Sequence, residues 1–199
     1  YLALKQLGPT YMQFIPIVER HTQTQSVTDF SVPSEGYGQF LVDVFHEWYA
    51  HDVGKIYVSQ FDNLLGQWLG YPSTTCVHQP TCGQSLVTEA NGDVYACDHF
   101  VYPEYKVGNL TQQPLTEIVL SNKQQQFGLE KSQKLTALCR RCEFRKLCSG
   151  GCPKHRFVSL ENEPNPHNYL CASYRYFFEQ TAPYMQAMAR QIRLHPSAA

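Results

Sequence analysis

Residues 139–152 read CRRCEFRKLCSGGC, and the use made of these four thiols decides how the rest of the chain is organised. Their spacing is Cys139-x2-Cys142-x5-Cys148-x3-Cys152; outward from the run stand Cys76-x5-Cys82-x14-Cys97 on one side and Cys171, after x18, on the other. Eight thiols divide into two sites of four. Thiolates in fours select zinc or iron-sulfur clusters. Gly150 and Gly151 let the backbone approach a bulky inorganic group and turn its N–H groups toward sulfur.

Three readings of the cysteines compete. A disulfide framework belongs to shorter, loop-rich secreted chains, whereas these cysteines are clustered. Zinc ribbons pair two CxxC knuckles, and only Cys139 and Cys142 have that form here. Two iron-sulfur clusters account for all eight thiols and point to a reducing compartment, the cytoplasm.

Composition narrows the partners. The chain has 199 residues, 43% of them hydrophobic, with 16 Lys+Arg against 17 Asp+Glu and a net charge of -1. That is enough apolar material for one ordinary core or two small ones and excludes a disordered tail. No electropositive field exists for nucleic acid or an anionic membrane surface. No apolar run approaches the roughly 20 residues of a membrane span, and the opening YLALKQLGP lacks a signal-peptide pattern. A first residue that is Tyr, inside an apparent helix, reads as part of a longer polypeptide.

The first 71 residues read as α/β. Leu2 to Leu7 is helical with Gly8 as its stop, and YMQFIPI (11–17) is a short strand interrupted by Pro16. A helix opening at Ser34 or Glu35 carries an apolar stripe of Phe40, Leu41, Val44, Phe45, Trp48 and Tyr49, with Gly54 at its far end. KIYVSQF (55–61) follows as a buried strand, and Asp62 caps a third helix through Leu69. The composition changes after Pro72, where the cysteine-rich region begins. There SLVTEANGDVYAC (85–97) alternates about Asn91-Gly92 as a hairpin with a type I′ turn. Leu115 to Phe127 has helical spacing, Cys139 to Cys152 reads as irregular, and Ala172 to Arg193 is a closing helix kinked at Pro183.

The cysteine pattern, with GDVYAC, CRRC and CSGGC, resembles the SPASM domain of radical S-adenosylmethionine peptide-modifying enzymes. The strings YMQFIPIVER, FHEWYAHDVGKIYVSQFDN and DVYACDHFVYPEYKVGNL extend the resemblance to the anaerobic sulfatase-maturating enzymes. It implies an α/β fold in which residues 1–71 are the C-terminal βα units of a partial TIM-like radical SAM barrel. Residues 72–199 would then form an irregular α+β SPASM domain with a β-hairpin and a C-terminal helix.

The resemblance also implies an interleaved pairing: Cys76, Cys82, Cys97 and Cys152 on a first auxiliary [4Fe-4S] cluster, and Cys139, Cys142, Cys148 and Cys171 on a second. Spacing alone leaves open the alternative that Cys139, Cys142, Cys148 and Cys152 share one cluster. S-adenosylmethionine and a third [4Fe-4S] cluster are implied outside these residues, because the CxxxCxxC motif is absent: position 155, where Cys148 and Cys152 would need a third Cys, is His. The 199 residues alone are therefore expected to be inactive. The whole enzyme would oxidise a Cys or Ser of an unfolded sulfatase peptide to formylglycine, with flavodoxin or ferredoxin as electron donor. A zinc-binding interaction domain and a SPASM maturase of another peptide are the alternatives.

By the same resemblance Asp98, directly after Cys97, is the general base. An anionic cluster nearby would raise its pKa. His155, three after Cys152, could suggest a Cys-x2-His zinc site but reads as a surface group or one just behind the ligands. His99, Tyr102 and Tyr105 read as channel lining or packing, and Gln13 as facing a substrate cavity or anchoring a loop.

Overall fold

A computed structural model describes residues 1–194. The elements in chain order are α1 (Leu2–Lys5), β1 (Tyr11–Met12), α2 (Gly36–His51), β2 (Tyr57–Val58), α3 (Ser59–Leu69), β3 (Val87–Thr88), β4 (Asp93–Tyr95) and β5 (Lys106–Asn109). Then follow α4 (Leu115–Val119), α5 (Asn122–Gln133), α6 (Ala137–Arg141), α7 (Arg145–Cys148), β6 (Arg156–Val158), β7 (His167–Asn168) and α8 (Cys171–Leu194). The chain divides into two compact units, one of Tyr1–Thr74 with the segment from Tyr169 onward, the other of Thr75–Asn168. No described helix is long and apolar enough to cross a membrane.

The first unit is built on a βαβ arrangement. β1 and β2 pair in parallel, Tyr11 opposite Tyr57 and Met12 opposite Val58, with α2 as the crossover. The apolar stripe read for α2 divides: Leu41, Val44, Phe45 and Trp48 are buried, while Phe40 and Tyr49 reach the surface. Phe45 packs edge-on to Phe61 at 5.4 Å and to Phe177 at 6.4 Å, so α2, α3 and α8 share one aromatic core. The Trp48 indole donates to the Ile56 carbonyl at 2.6 Å, which saves its N–H from burial without a partner.

α8 belongs to this unit, packing on α2 and α3. The sequence reading grouped it with the cysteine-rich region. The contact that sets it against α2 is made at Gly38, whose N–H donates to Ser173 Oγ at 2.8 Å, and Ser173 donates in turn to the Ser34 carbonyl at 2.7 Å. A Cβ on Gly38 would stand 2.6 Å from the Ser173 carbonyl oxygen, so only glycine permits this approach. Pro183 lies inside α8, which continues to Leu194.

Two strands are shorter than expected. YMQFIPI pairs only over Tyr11–Met12. KIYVSQF is extended only at Tyr57–Val58, and α3 begins at Ser59, with Val58 rather than Asp62 at the cap position. The reason is burial: Phe61 and Leu64, three apart, both enter the core, which a helix achieves and a strand does not.

The second unit holds an antiparallel sheet in the order β3-β4-β5 and a smaller pair, β6 with β7. The hairpin stands where expected, but its turn differs. Gly92 has φ +85°, Asn91 is not in the left-handed region, and Gly92 N–H donates to the Glu89 carbonyl at 2.9 Å. This is a three-residue loop closed by a left-handed glycine, not a type I′ turn. The single helix expected over 115–127 is two helices, because Ser121 Oγ accepts from Gln124 N–H and caps α5 anew. The 139–152 run is partly helical, carrying most of α6 and all of α7.

This unit buries little apolar material: Val94, Ala96, Ile118 and Leu135. Twice as many of its described buried side chains are polar or charged, Gln124, Lys131, His155 and His167 among them. Such an interior supplies little hydrophobic stabilisation and calls for another cross-link.

Candidate metal centre

α5 is the spine of the site. Its buried positions are Gln124, Gly128 and Lys131, at i, i+4 and i+7, so one polar stripe faces inward. Each touches a cysteine-bearing segment. The Gln124 amide donates to the Gly83 carbonyl at 2.7 Å and the Ala96 carbonyl at 3.2 Å, immediately beside Cys82 and Cys97. Gly128 accepts from Cys82 N–H at 3.1 Å. The Lys131 ammonium donates to the Cys76 carbonyl at 2.5 Å and the Val77 carbonyl at 3.0 Å. Apolar periodicity could not reveal this stripe, though a Gln, Gly and Lys at helical spacing is visible once the three segments are known to converge.

Cys152 arrives through a backbone that only small or strained residues adopt: Ser149, Gly150 and Gly151 have φ of 50°, 74° and 65° in succession. The Asn168 amide holds the Gly150 carbonyl at 3.1 Å and the Cys152 carbonyl at 3.3 Å. The Cys152 thiol interacts electrostatically with Cys76, Cys82 and Cys97, so these four sulfurs face a common region. Burial raises the Cys82 thiol to about 11 and the Cys97 thiol to about 12, and it raises Cys152 as well. As free thiols they are protonated at neutral pH; as metal ligands they must give up those protons.

The remaining cysteines are set by short helices. Thr136 Oγ accepts from Cys139 N–H at 3.2 Å and caps α6, Cys142 follows that helix, and Cys148 ends α7. His167 Nδ1 stands 3.0 Å from Thr136 Oγ and 3.7 Å from Cys139 Sγ. Cys171 opens α8 in the first unit. All eight cysteines are free thiols. Among the described residues no three His, Cys, Asp or Glu side chains converge on a single-ion site; a four-iron cubane takes its thiolates at separate corners.

Two cations of this unit, Lys131 and Arg156, adjoin the thiols. Lys131 is 1% exposed. Arg156 donates to the carbonyls of Lys131 (2.6 Å), Gly150 (3.1 Å), Ser149 (3.1 Å) and Gly151 (3.3 Å). Burial pushes both below their ordinary pKa, opposed by neighbouring thiols. His78 is buried against the Cys148 carbonyl at 3.4 Å, and burial lowers it to about 4, so its imidazole is neutral. Four neighbouring thiols, left-handed backbone at Ser149–Gly151 and a polar interior with one buried and one half-buried cation fit an anionic iron-sulfur group.

Asp98 is exposed beside Cys97. Its Oδ1 accepts from the Cys97 thiol at 3.1 Å and from His99 N–H at 3.0 Å. The thiol hydrogen bond holds the carboxyl below its ordinary value, opposite to the rise expected beside an anionic cluster. The difference is chemical: a protonated Cys97 donates to the carboxylate, and a cluster-bound thiolate has no proton to donate. His155 is buried. Tyr105 packs with Phe100 at 4.8 Å and Phe127 at 5.9 Å, whereas His99, Tyr102 and Gln13 are exposed.

Comparison with known proteins accords with this geometry. Residues 76–143, which include Cys76, Cys82, Cys97, Cys139 and Cys142, match the SPASM family, described as an iron-sulfur cluster-binding domain. The chain is 40% identical over 206 residues to the serine-type anaerobic sulfatase-maturating enzyme of Bacteroides thetaiotaomicron, covering 96% of this chain and 50% of that protein. It is 30% identical over 195 residues to the cysteine-type anaerobic sulfatase-maturating enzyme of Clostridium perfringens, covering 97% of this chain and 52% of that protein. A solved structure described as native anSMEcpe with bound AdoMet and Cp18Cys peptide superposes with a TM-score of 0.80 at 30% identity, over 96% of this chain and 53% of that one. The chain thus spans about half the length of the curated relatives it matches. The similarity to the anaerobic sulfatase-maturating enzymes runs from the βαβ unit to the closing helix and includes the segment that matches the SPASM iron-sulfur cluster-binding domain.

Proposed function

We propose that this chain is the auxiliary-cluster region of a cytoplasmic radical SAM enzyme that oxidises a Cys or Ser of an unfolded sulfatase peptide to formylglycine. The observation that carries the reading is the facing set of Cys76, Cys82, Cys97 and Cys152, organised by α5, with Asp98 beside it. Cys76, Cys82, Cys97 and Cys152 would hold the first auxiliary [4Fe-4S] cluster, and Cys139, Cys142, Cys148 and Cys171 the second. When bound, these clusters supply one-electron redox chemistry to the site. β1, α2, β2 and α3 are read as βα units of a partial barrel. S-adenosylmethionine and a third cluster would bind elsewhere in the enzyme, and the 199 residues alone would be inactive.

The part played by this chain's own residues is binding and proton transfer. Asp98 is an exposed carboxylate whose Oδ1 accepts from His99 N–H, a bond that does not depend on the Cys97 proton, so a substrate thiol or hydroxyl brought to it would find a proton acceptor. The hydrogen-bonded His99 N–H keeps the carboxylate oriented. Flavodoxin or ferredoxin would supply electrons.

The test uses the intact enzyme, purified without oxygen. About eight iron and eight sulfide should be attributable to this region, and peptides carrying a sulfatase-type Cys or Ser should gain an aldehyde. Colourless protein with about two zinc per chain and no sulfide would refute the assignment in favour of a zinc-binding module.

A further inference from the structure

Resting on the iron-sulfur reading above, a further role belongs to two cations of the second unit. Lys131 is 1% exposed, and its ammonium donates to the carbonyls of Cys76 and Val77. Arg156 spends its guanidinium on four carbonyls, one of them that of Lys131. Among the described residues no carboxylate pairs with either. Glu130, the nearest acid in sequence, is taken by Lys134 at 2.7 Å. A cation withdrawn from water, as Lys131 is, with a second and half-buried cation beside it, is costly unless an anion answers them.

Apart from one another and the imidazoles of His78 and His167, the ionisable groups that interact with them are thiols. Lys131 interacts with Cys82, Cys152 and Cys76. Arg156 interacts with Cys139 and Cys148 as well as Cys82 and Cys152. Four thiolates around an oxidised four-iron cubane leave net negative charge, and one added electron increases it. Positive charge fixed in a poorly hydrated interior favours that electron.

We infer that Lys131 and Arg156 are built-in counter-charges that hold the cluster reduction potentials up, Lys131 acting on the Cys76, Cys82, Cys97 and Cys152 group and Arg156 acting on thiols of both groups. Both are positioning residues; neither touches substrate. A purely structural lysine would move stability and leave potentials alone.

The experiment is an EPR-monitored reductive titration of the intact, anaerobically reconstituted enzyme as wild type, Lys131→Met, Lys131→Arg and Arg156→Gln. For Lys131→Met, the reduction equilibrium of one auxiliary cluster should fall about tenfold, 59 mV for a one-electron couple, with the other unmoved. Arg156→Gln should lower both, and Lys131→Arg should restore the wild-type value. Loaded Lys131→Met with unchanged potentials overturns the inference, as does Lys131→Arg displaced as far as Lys131→Met. If Lys131→Met does not retain iron, Arg156→Gln decides by the same criterion. Iron and sulfide analysis separates the two levels: wild type without sulfide removes both this inference and the proposed function, whereas loaded variants with unmoved potentials remove only this inference.

Discussion

Gly128 and Cys82 meet backbone to backbone: Cys82 N–H donates to the Gly128 carbonyl at 3.1 Å, and a Cβ on Gly128 would stand 2.6 Å from the Cys82 carbonyl oxygen. A helix-interior glycine costs about 0.5–1 kcal/mol relative to alanine, so its presence in α5 marks a contact that outweighs that loss. Gly128→Ala should push Cys82 away, destabilise the protein by about 1–3 kcal/mol and lower its iron content. Gly66→Ala in α3, where a Cβ would meet nothing within 4 Å, should instead stabilise by about 0.5–1 kcal/mol. Urea denaturation and iron analysis of the pair check both signs.

Asp98→Asn retains the shape of the side chain and removes its ability to take a proton. Aldehyde formation on a sulfatase-type peptide should fall by about 10²–10⁴-fold while iron and sulfide content stay at the wild-type level. A variant as active as wild type would exclude Asp98 as the base.

A pH dependence resides in the first unit. Asp52, 3% exposed, accepts from the Tyr1 hydroxyl at 2.6 Å and the Lys5 ammonium at 2.7 Å. Burial opposes its ionisation, but the Lys5 and Tyr1 hydrogen bonds prevail and hold the carboxyl below its ordinary value. A depressed folded value means that the contribution is present above the ordinary carboxylate range and is lost as pH falls through the lowered value. Lys5→Met should therefore destabilise the protein by about 1–3 kcal/mol at pH 7 and much less in strong acid. Equal losses at both pH values would contradict the assignment.

Removal of metal from the intact enzyme should be felt locally. With so few apolar side chains buried among residues 75–168, chelation is expected to raise amide exchange there, above all around Cys76–Gln84 and Ser149–Cys152. α2 and α8, which share an aromatic core, should keep their protection. Uniform protection after complete iron removal would show that the second unit stands without its ligands.

Much of the chain is legible from its residues because the relevant physics is local. The α2 stripe marks the core-facing side, Gly92 sets the hairpin, and the cysteine spacings point to inorganic ligands and to the SPASM relatives. Where local signals conflict, strand and helix ends shift, as at Ser59, where the burial of Phe61 and Leu64 prevails over a β-branched run.

Other features exist only once distant segments meet. Apolar periodicity measures the gain from removing hydrocarbon from water, so it registers α2 and cannot register the buried Gln124, Gly128 and Lys131 of α5. A polar side chain is buried at tolerable cost only when partners remote in sequence receive it, here the carbonyls of Gly83, Ala96, Cys76 and Val77. The same holds for α8, whose place on α2 is set by the close approach of Gly38 to Ser173 across more than half the chain. Residue spacing therefore determines the chemistry the thiols can perform; which sulfurs and cations face one another is decided by the packing of backbone far apart in sequence.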